Sequence, residues 1–367
     1  MIMKFMTIPF RDPHFHARSS VSIARRHLTI GSLQGPIAPP PVRKRTSPLR
    51  VHHTLPPQPP AQPAAIAFGN FDGVHLGHRA LLAQLRQDAD RLNGPLIVVT
   101  FHPHPLHFLR PDRAPAALDT LEGRLKWLEH FGVDEVVVLR FDAQLAAVPA
   151  EIFAREWLCQ RLHGRAFAVG PDMHFGHQRR GDAQLLRTIA AETGGTVHLF
   201  RGEQVAGDRV SSSRVRHAVA DGNLPLATQL LGRPYALRGH VVHGDARGQT
   251  LGFPTANLHA PQQVQPQNGI YAGLAKVRGQ FHPAAISQGT RPTFAGQDVR
   301  TEAFLLDFQG DLYDQPLDLH FLFHLRDELH FADLPSLIAQ IDRDVLQTRQ
   351  MVENWQKQHA DFAELLL

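Results

Sequence analysis

The residues of this 367-residue chain that could do chemistry gather in two phrases. The first reads Phe68-Gly69-Asn70-Phe71-Asp72-Gly73-Val74-His75-Leu76-Gly77-His78. Gly69, Gly73 and Gly77 let main chain approach a bulky anion, and a helix carrying Leu81, Leu82, Leu85 and Leu92 follows at once. The free N–H groups and positive dipole end of that helix suit a polyphosphate without a dedicated Walker loop. His75 and His78 stand three apart at the helix entrance, where both imidazoles, as movable positive charges, can face one phosphorus centre and stabilise its oxygens. Two other readings stand beside this one: a metal pair, which lacks a clear third ligand, and a purely structural loop. The second phrase runs from Gly239 to Asn257 and contains Gly244, Gly248 and Gly252, again open to an anion. Thr255 and Asn257, two apart in extended chain, face one side and offer neutral oxygens to a hard cation such as Mg²⁺ held with a triphosphate.

These phrases need elements to position them. From Ala65 onward, strand-like runs at 65–68, 96–101, 135–140, 166–170 and 196–200 alternate with helical segments, including those near 119–131, 149–163 and 181–193. Pro149 suits a helix first turn and Gly164 a C-terminal cap. This order predicts a parallel, doubly wound sheet whose ligand site lies at the carboxyl ends of its strands, where the first phrase stands. Past Gly232-Arg233-Pro234, short strands and turns predict a small antiparallel barrel, which the second phrase opens. Leu337, Ile338, Ile341, Val345, Met351 and Val352 then recur at helical spacing and predict a capping helix, its apolar stripe read as core.

The composite of FDGVH and HxGH in the first phrase resembles the HxGH nucleotidyltransferase superfamily. FDGVHLGH in particular is similar to the adenylyltransferase domain of bacterial bifunctional riboflavin kinase/FAD synthetases. Val210-Ser211-Ser212-Ser213-Arg214-Val215-Arg216 resembles that superfamily's second signature, with Ser213 in place of the usual Thr. The resemblance implies that Ser211, Ser212 and Arg216 hold departing pyrophosphate. Segments 100–105 and 170–177, the latter with Asp172, resemble those framing flavin and nucleotide; Met173-His174 replaces the family's Phe-Arg. GxTLGFPTAN, which contains Phe253 and Pro254, looks like the riboflavin kinase signature. Asn268-Gly269-Ile270-Tyr271-Ala272 and Gly289-Thr290-Arg291-Pro292-Thr293-Phe294 match its downstream segments. The family places a Glu at the start of the next strand as base for the ribityl 5′-hydroxyl, and Glu302 matches it. The implied fold is an α/β Rossmann-like nucleotidyltransferase domain, then a small antiparallel β-barrel kinase domain with a C-terminal helix. The expected ligands are riboflavin, FMN, ATP and Mg²⁺, with FAD as the final product.

The expected division is a disordered basic, Pro-rich extension over 1–64, adenylyltransferase over 65–232, kinase with its helix over 233–350, and a C-terminal tail over 351–367. Residues 1–64 carry a charge of +8 and 12 of the 28 prolines, leaving −4 on the remainder of a chain whose net charge is +4. The basic excess therefore belongs to the extension and gives no sign of nucleic-acid binding by the folded part. An organellar transit peptide, a nucleic-acid-binding arm around Arg43-Lys44-Arg45 and a nonfunctional extension remain three readings of it. One cysteine, Cys159, excludes an intramolecular disulfide and a thiolate zinc cluster, and a reducing cytoplasm is expected. No apolar run reaches membrane-spanning length, so no membrane partner is expected.

Overall fold

The computed structural model describes residues 48–244, 252–293 and 296–367. Near-continuous apolar runs such as Val136-Val137-Val138 are buried on both faces, the pattern of parallel strands covered by helices. Four such strands form the middle of a six-stranded sheet whose edge strands β1 and β6 are more exposed; the order is β1 (Arg50–His52), β4 (Glu135–Arg140), β3 (Leu96–His102), β2 (Ala64–Phe68), β5 (Gly164–Val169) and β6 (Thr196–Leu199), all parallel. On one face, α1 (Leu76–Arg91) and α2 (Leu121–His130) bury Leu82, Leu85, Trp127 and Leu128. On the other, α3 (Ala150–Ile152), its π-helical continuation over Phe153–Arg161, and α4 (Ala183–Ala191) bury Phe153, Leu158, Leu186 and Ile189. The chain winds outward from β2 through β3 and β4, then returns to β5 on its other side. The exit of β2 is therefore the topological switch point, and the 69–75 loop stands there.

After the hairpin of β7 (Gln204–Val205) and β8 (Asp208–Arg209), α5 (Ser212–Ala220) and α6 (Leu224–Leu231) lead into the second unit. There β9 (Tyr235–Val242), β10 (Ala256–His259), β11 (Gly269–Val277), β12 (Gln280–Thr293), β13 (Gly296–Leu305) and β14 (Pro316–Arg326) close an antiparallel barrel. Closure removes exposed edges from a sheet too small to hide them otherwise. One apolar cluster runs from Val215, Val219 and Leu230 on the two helices to Leu237, Leu319 and Phe321 of the barrel. Finally α7 (Leu334–Gln358), capped by Asp333 accepting the Ser336 N–H, lies on the barrel's outside.

Three boundaries are corrected. Residues 48–64, expected as part of an unpacked extension, are instead packed, and β1 adds to the edge of β4. Arg50 pairs with the Glu135 carboxylate, whose Oε2 lies 3.0 Å from His52 Nε2, and the Pro56 carbonyl accepts from Arg161 at 2.9 Å. Proline lacks a donor but keeps its carbonyl, so a Pro-rich stretch can still be held. Residues 1–47 lie outside the described residues. The expected tail over 351–367 instead continues α7, and Val352, Trp355 and Leu366 are buried against Leu274 and Leu322. Gly164 begins β5, and the left-handed residue after the helix is His163, at φ 50°. A Cβ on Gly164 would stand 2.6 Å from Phe167 and 2.7 Å from Ile66, so the glycine serves packing. Among the described residues, no helix is long and apolar enough to cross a membrane.

Candidate active sites

The loop leaving β2 is held in an unusual shape. Phe71 and Val74 adopt left-handed φ of 49° and 35°, with Gly73 at 77° between them. A β-branched residue there is strained and persists only where its surroundings over-determine it. His75 caps α1, its Nδ1 accepting the His78 N–H at 3.4 Å, and the two rings stack at 3.8 Å. Gly77 permits this, since its Cβ would stand 3.2 Å from the His75 ring. Burial, then the charge of Arg233, pushes His75 down to about 3; burial, then His75 and Arg124, holds His78 well below the usual range. In the chain without ligand both imidazoles therefore favour the neutral form, and the nearby Arg233 and Arg124 carry positive charge.

Asp72 joins the two signatures of this unit. Its buried carboxylate accepts the Leu118 N–H at 3.0 and 3.1 Å and the Arg216 guanidinium at 2.5 Å, while its carbonyl accepts from Ser212 Oγ at 2.9 Å. Burial raises Asp72 above the ordinary carboxylate range, and Arg216 opposes that shift. Arg216 also donates to the Ala116 carbonyl at 2.8 Å, and Ser211 caps α5 by accepting the Arg214 N–H at 3.3 Å. Four predicted ligands, Asp72, Ser211, Ser212 and Arg216, are thus engaged within the protein. The Asn70 carbonyl accepts from Thr100 Oγ1 and Arg124, and its amide nitrogen lies 2.9 Å from His104 Nε2. His104 is pushed down to about 4, first by burial and then by Arg216. Asp172 is exposed and pairs with Arg209 at 2.8 Å; His174 and His177 rest on carbonyls, and Met173 packs against the second core face.

The barrel site follows from strand alternation. Ala256, Ala303 and Ile286 point into the barrel core, so Thr255, Asn257, Glu302, Phe304, Ala285 and Ser287 point out on neighbouring strands. Asn257 stands opposite Glu302 in register, and Thr255 Oγ1 lies 3.5 Å from Glu302 Oε2. A Cβ on Gly244 would strike the Asn257 amide at 2.2 Å, so glycine there keeps the amide close to the chain. A cavity of about 170 Å³ opens beside this group, lined by Thr255, Glu302, Phe253 and Phe304 and, from α7, by Leu337, Ile341 and Val345. The stripe predicted as core is therefore partly a cavity wall. Arg326 fixes that wall: its guanidinium reaches the buried Asp344 at 2.6 and 3.1 Å, and Gln340 donates to the same carboxylate at 2.8 Å. Gly252 and Pro254 flank the cavity's Phe253 in an exposed turn. Gly248 lies outside the described residues. Arg291 sits on β12 opposite Asp298, and its side chain also lies outside them.

Sequence reasoning missed Arg124, Arg233, Arg326 and Asp344. Single charged residues on a helix or strand carry no motif; their tell was an unpaired position on an otherwise apolar face, as at Asp344 beside Ile341 and Val345.

A parallel sheet with this loop at its switch point, followed by a closed barrel whose apolar cavity carries Glu302 and Thr255 in its wall, defines a nucleotidyltransferase joined to a phosphotransferase. Family models match both units: FAD synthetase over residues 58–214 and riboflavin kinase over 231–352. The bifunctional riboflavin kinase/FMN adenylyltransferase of Escherichia coli K12 is 42% identical over 294 residues, covering 80% of this chain and 94% of that protein. Its counterpart in Listeria monocytogenes is 35% identical, covering 77% and 91%. The crystal structure of a macrolide-efflux protein from Streptococcus pneumoniae matches with TM-score 0.72 and 28% identity, covering 83% of this chain and 99% of that one. The chain belongs to the bifunctional riboflavin kinase/FMN adenylyltransferase family.

Proposed function

We propose that the barrel phosphorylates riboflavin to FMN with ATP, and that the sheet unit then adenylylates FMN to FAD with release of pyrophosphate. The observation that supports this most is the juxtaposition of Glu302 with Thr255 beside an apolar cavity. The flat flavin ring enters the cavity between Phe253, Phe304 and α7, which brings its ribityl 5′-hydroxyl to Glu302. A carboxylate is the right group to accept that proton as the oxygen attacks a γ-phosphorus. Thr255 and Asn257 supply hydroxyl and amide oxygens, a donor set that fits Mg²⁺, and the bound ion would neutralise charge on the phosphates. Gly244, Gly252 and Pro254 shape the triphosphate loop.

In the sheet unit, ATP lies along Gly69, Asn70, Phe71, Asp72 and Gly77 at the α1 N-terminus. His75 and His78 donate hydrogen bonds to the α-phosphoryl oxygens as FMN phosphate attacks. Ser211, Ser212 and Arg216 receive the pyrophosphate, for which Arg216 must share its grip on Asp72, and Asp172 lies at the flavin side. The ligands are thus small molecules, and the work is compatible with a cytoplasmic location. Incubation with riboflavin, ATP and Mg²⁺, followed by chromatography, should show FMN rising first and FAD after it. Accumulation of neither product sinks the reading; FMN alone would leave the sheet unit without its role.

A further inference from the structure

Arg233 is the first residue of the second unit, directly ahead of β9, yet its guanidinium lies beneath the first unit's phosphate loop. It is 6% exposed. Nη2 donates to the Gly73 carbonyl at 2.6 Å, and Nη1 to the carbonyls of Val74 at 3.2 Å and Leu231 at 3.3 Å. The Trp127 ring stacks against it at 4.0 Å. Its direct partners are these carbonyls and the ring, and Asp119 acts on it through its charge. Burying a cation in this way is costly: burial pushes Arg233 down to about 9, with Asp119 opposing the shift.

The carbonyls it grips belong to the two residues in the left-handed stretch nearest the histidines, at φ 77° and 35°. In a planar trans peptide the C=O and N–H point opposite ways. Drawing the Val74 carbonyl down onto Arg233 therefore turns the His75 N–H upward, at the N-terminus of α1. The Gly73 carbonyl is turned down likewise, while the Val74 N–H closes the turn by donating to Phe71 at 3.1 Å. A second tie from the barrel side supports the same loop. The Leu118 side chain would stand 2.7 Å from a Cβ on Gly73, and its N–H holds Asp72. Leu118 is itself fixed by Gln263, whose amide donates to its carbonyl at 3.4 Å, and by Ala117, whose backbone bonds to Gln262 and Val264. Asp119 next in line pairs with Arg238 of β9 at 2.7 Å.

We propose that Arg233 is a positioning residue of adenylyl transfer: from the junction with the barrel it holds the strained 73–75 backbone so that the His75 N–H and the histidine pair face the triphosphate, and it lends that anion a positive charge from below. This rests on the assignment of the 69–78 loop as the ATP site. Arg233 is not among the residues that line the kinase cavity.

The test uses the full chain with Arg233→Lys and Arg233→Met, each assayed for FMN formation from riboflavin and for FAD formation from supplied FMN. For Arg233→Met, FAD formation should fall roughly 100-fold, the cost of a small misplacement of reacting groups, with an unchanged kinase rate. The loss should appear in kcat and in KM for ATP, with KM for FMN unmoved; general loosening of the unit would move both. Arg233→Lys, which keeps the charge but loses the two-pronged grip, should fall between wild type and Arg233→Met. Undiminished FAD formation in Arg233→Met overturns the proposal. Should Arg233→Met lose both activities, Arg233→Lys decides: a selective loss of FAD formation supports the role, while both activities kept or both lost overturns it. His78→Ala, run in parallel, tests the site itself; if it still makes FAD at the wild-type rate, the loop is not the site, whatever Arg233 does.

Discussion

The two candidate sites are built on opposite plans. In the barrel, Asn257, Glu302 and Ser287 sit on regular strands with Thr255 in the extended chain just before β10, and alternation aims this group outward beside a cavity of about 170 Å³. At the switch point of the sheet, the backbone itself is bent into left-handed φ at Phe71, Gly73 and Val74, and the two stacked histidines at its end, His75 buried and His78 half-buried, are both shifted toward the neutral form. The barrel group is an apolar-walled slot with the Glu302 carboxylate beside Thr255. The sheet loop is surrounded instead by positive charge on Arg124, Arg216 and Arg233, whose sequence positions are far apart. A regular site can stand on its own element, whereas an irregular one needs distant partners to hold it, which is why the loop depends on residues from α2, α5 and the interdomain junction.

The largest expected effect separates the two plans by crossed substitution. Glu302→Gln keeps size and hydrogen-bonding capacity but cannot take the proton; FMN formation should fall by ~10²–10⁴, the usual contribution of a positioned general base. FAD formation from supplied FMN should be unaffected. His78→Ala should do the reverse, lowering FAD formation by ~10²–10³, as for loss of one donor to a developing oxyanion. Steady-state rates with riboflavin and with FMN, measured on the same preparations, check both. Loss of both activities in either folded variant would show that the sites are not separate.

Legibility in the sequence follows the same division. Runs at 135–140 and 96–101 were readable as parallel strands because they are apolar on both faces, and they appear as β4 and β3 almost residue for residue. The Thr255 and Asn257 pair was readable because a period of two needs only extended chain. What could not be read is what depends on partners far along the chain. β1 forms only because β4 offers an edge and Glu135. The neutrality of His75 needs the burial and the arginines that the fold brings to it. The wall of the barrel cavity is an apolar stripe whose periodicity is the same whether it covers core or ligand.

A middle-sized effect tests whether the barrel site is shaped by its cavity wall. Asp344 is buried, and Arg326 spans from β14 to hold it under α7. Removing one partner of a buried pair leaves the other uncompensated, at about 3–5 kcal/mol. Asp344→Asn keeps the shape but loses the charge, so α7 should sit less firmly over the flavin slot. The expected result is a KM for riboflavin raised about tenfold, equivalent to ~1.4 kcal/mol, and a lowered thermal midpoint, with FAD formation from FMN untouched. Asp344→Ala should go further in the same direction. An unchanged KM in both variants would mean that the wall does not shape the slot.

The smallest effect reads the buried histidines through stability. His75 sits at about 3 in the folded chain against an ordinary 6.5, and His78 is shifted the same way. Below pH 6.5 the unfolded chain takes up protons at these positions while the folded chain does not, so the folded state loses ground as pH falls. Their contribution is whole above pH 6.5 and declines continuously toward pH 3. One such histidine adds a slope of up to about 1.4 kcal/mol per pH unit. Urea unfolding of wild type and His75→Asn from pH 7.5 to pH 4.5 should therefore give curves that differ in slope below pH 6.5 and run parallel above it. The slope should shrink without vanishing in the variant, because His78, His104 and the barrel's His320 are lowered as well. Glu302→Gln, on the open site, should not shift this histidine limb. Parallel curves across the whole range would mean that His75 is solvated in solution, and the contrast between a charged-from-below loop and an open slot would lose its electrostatic half.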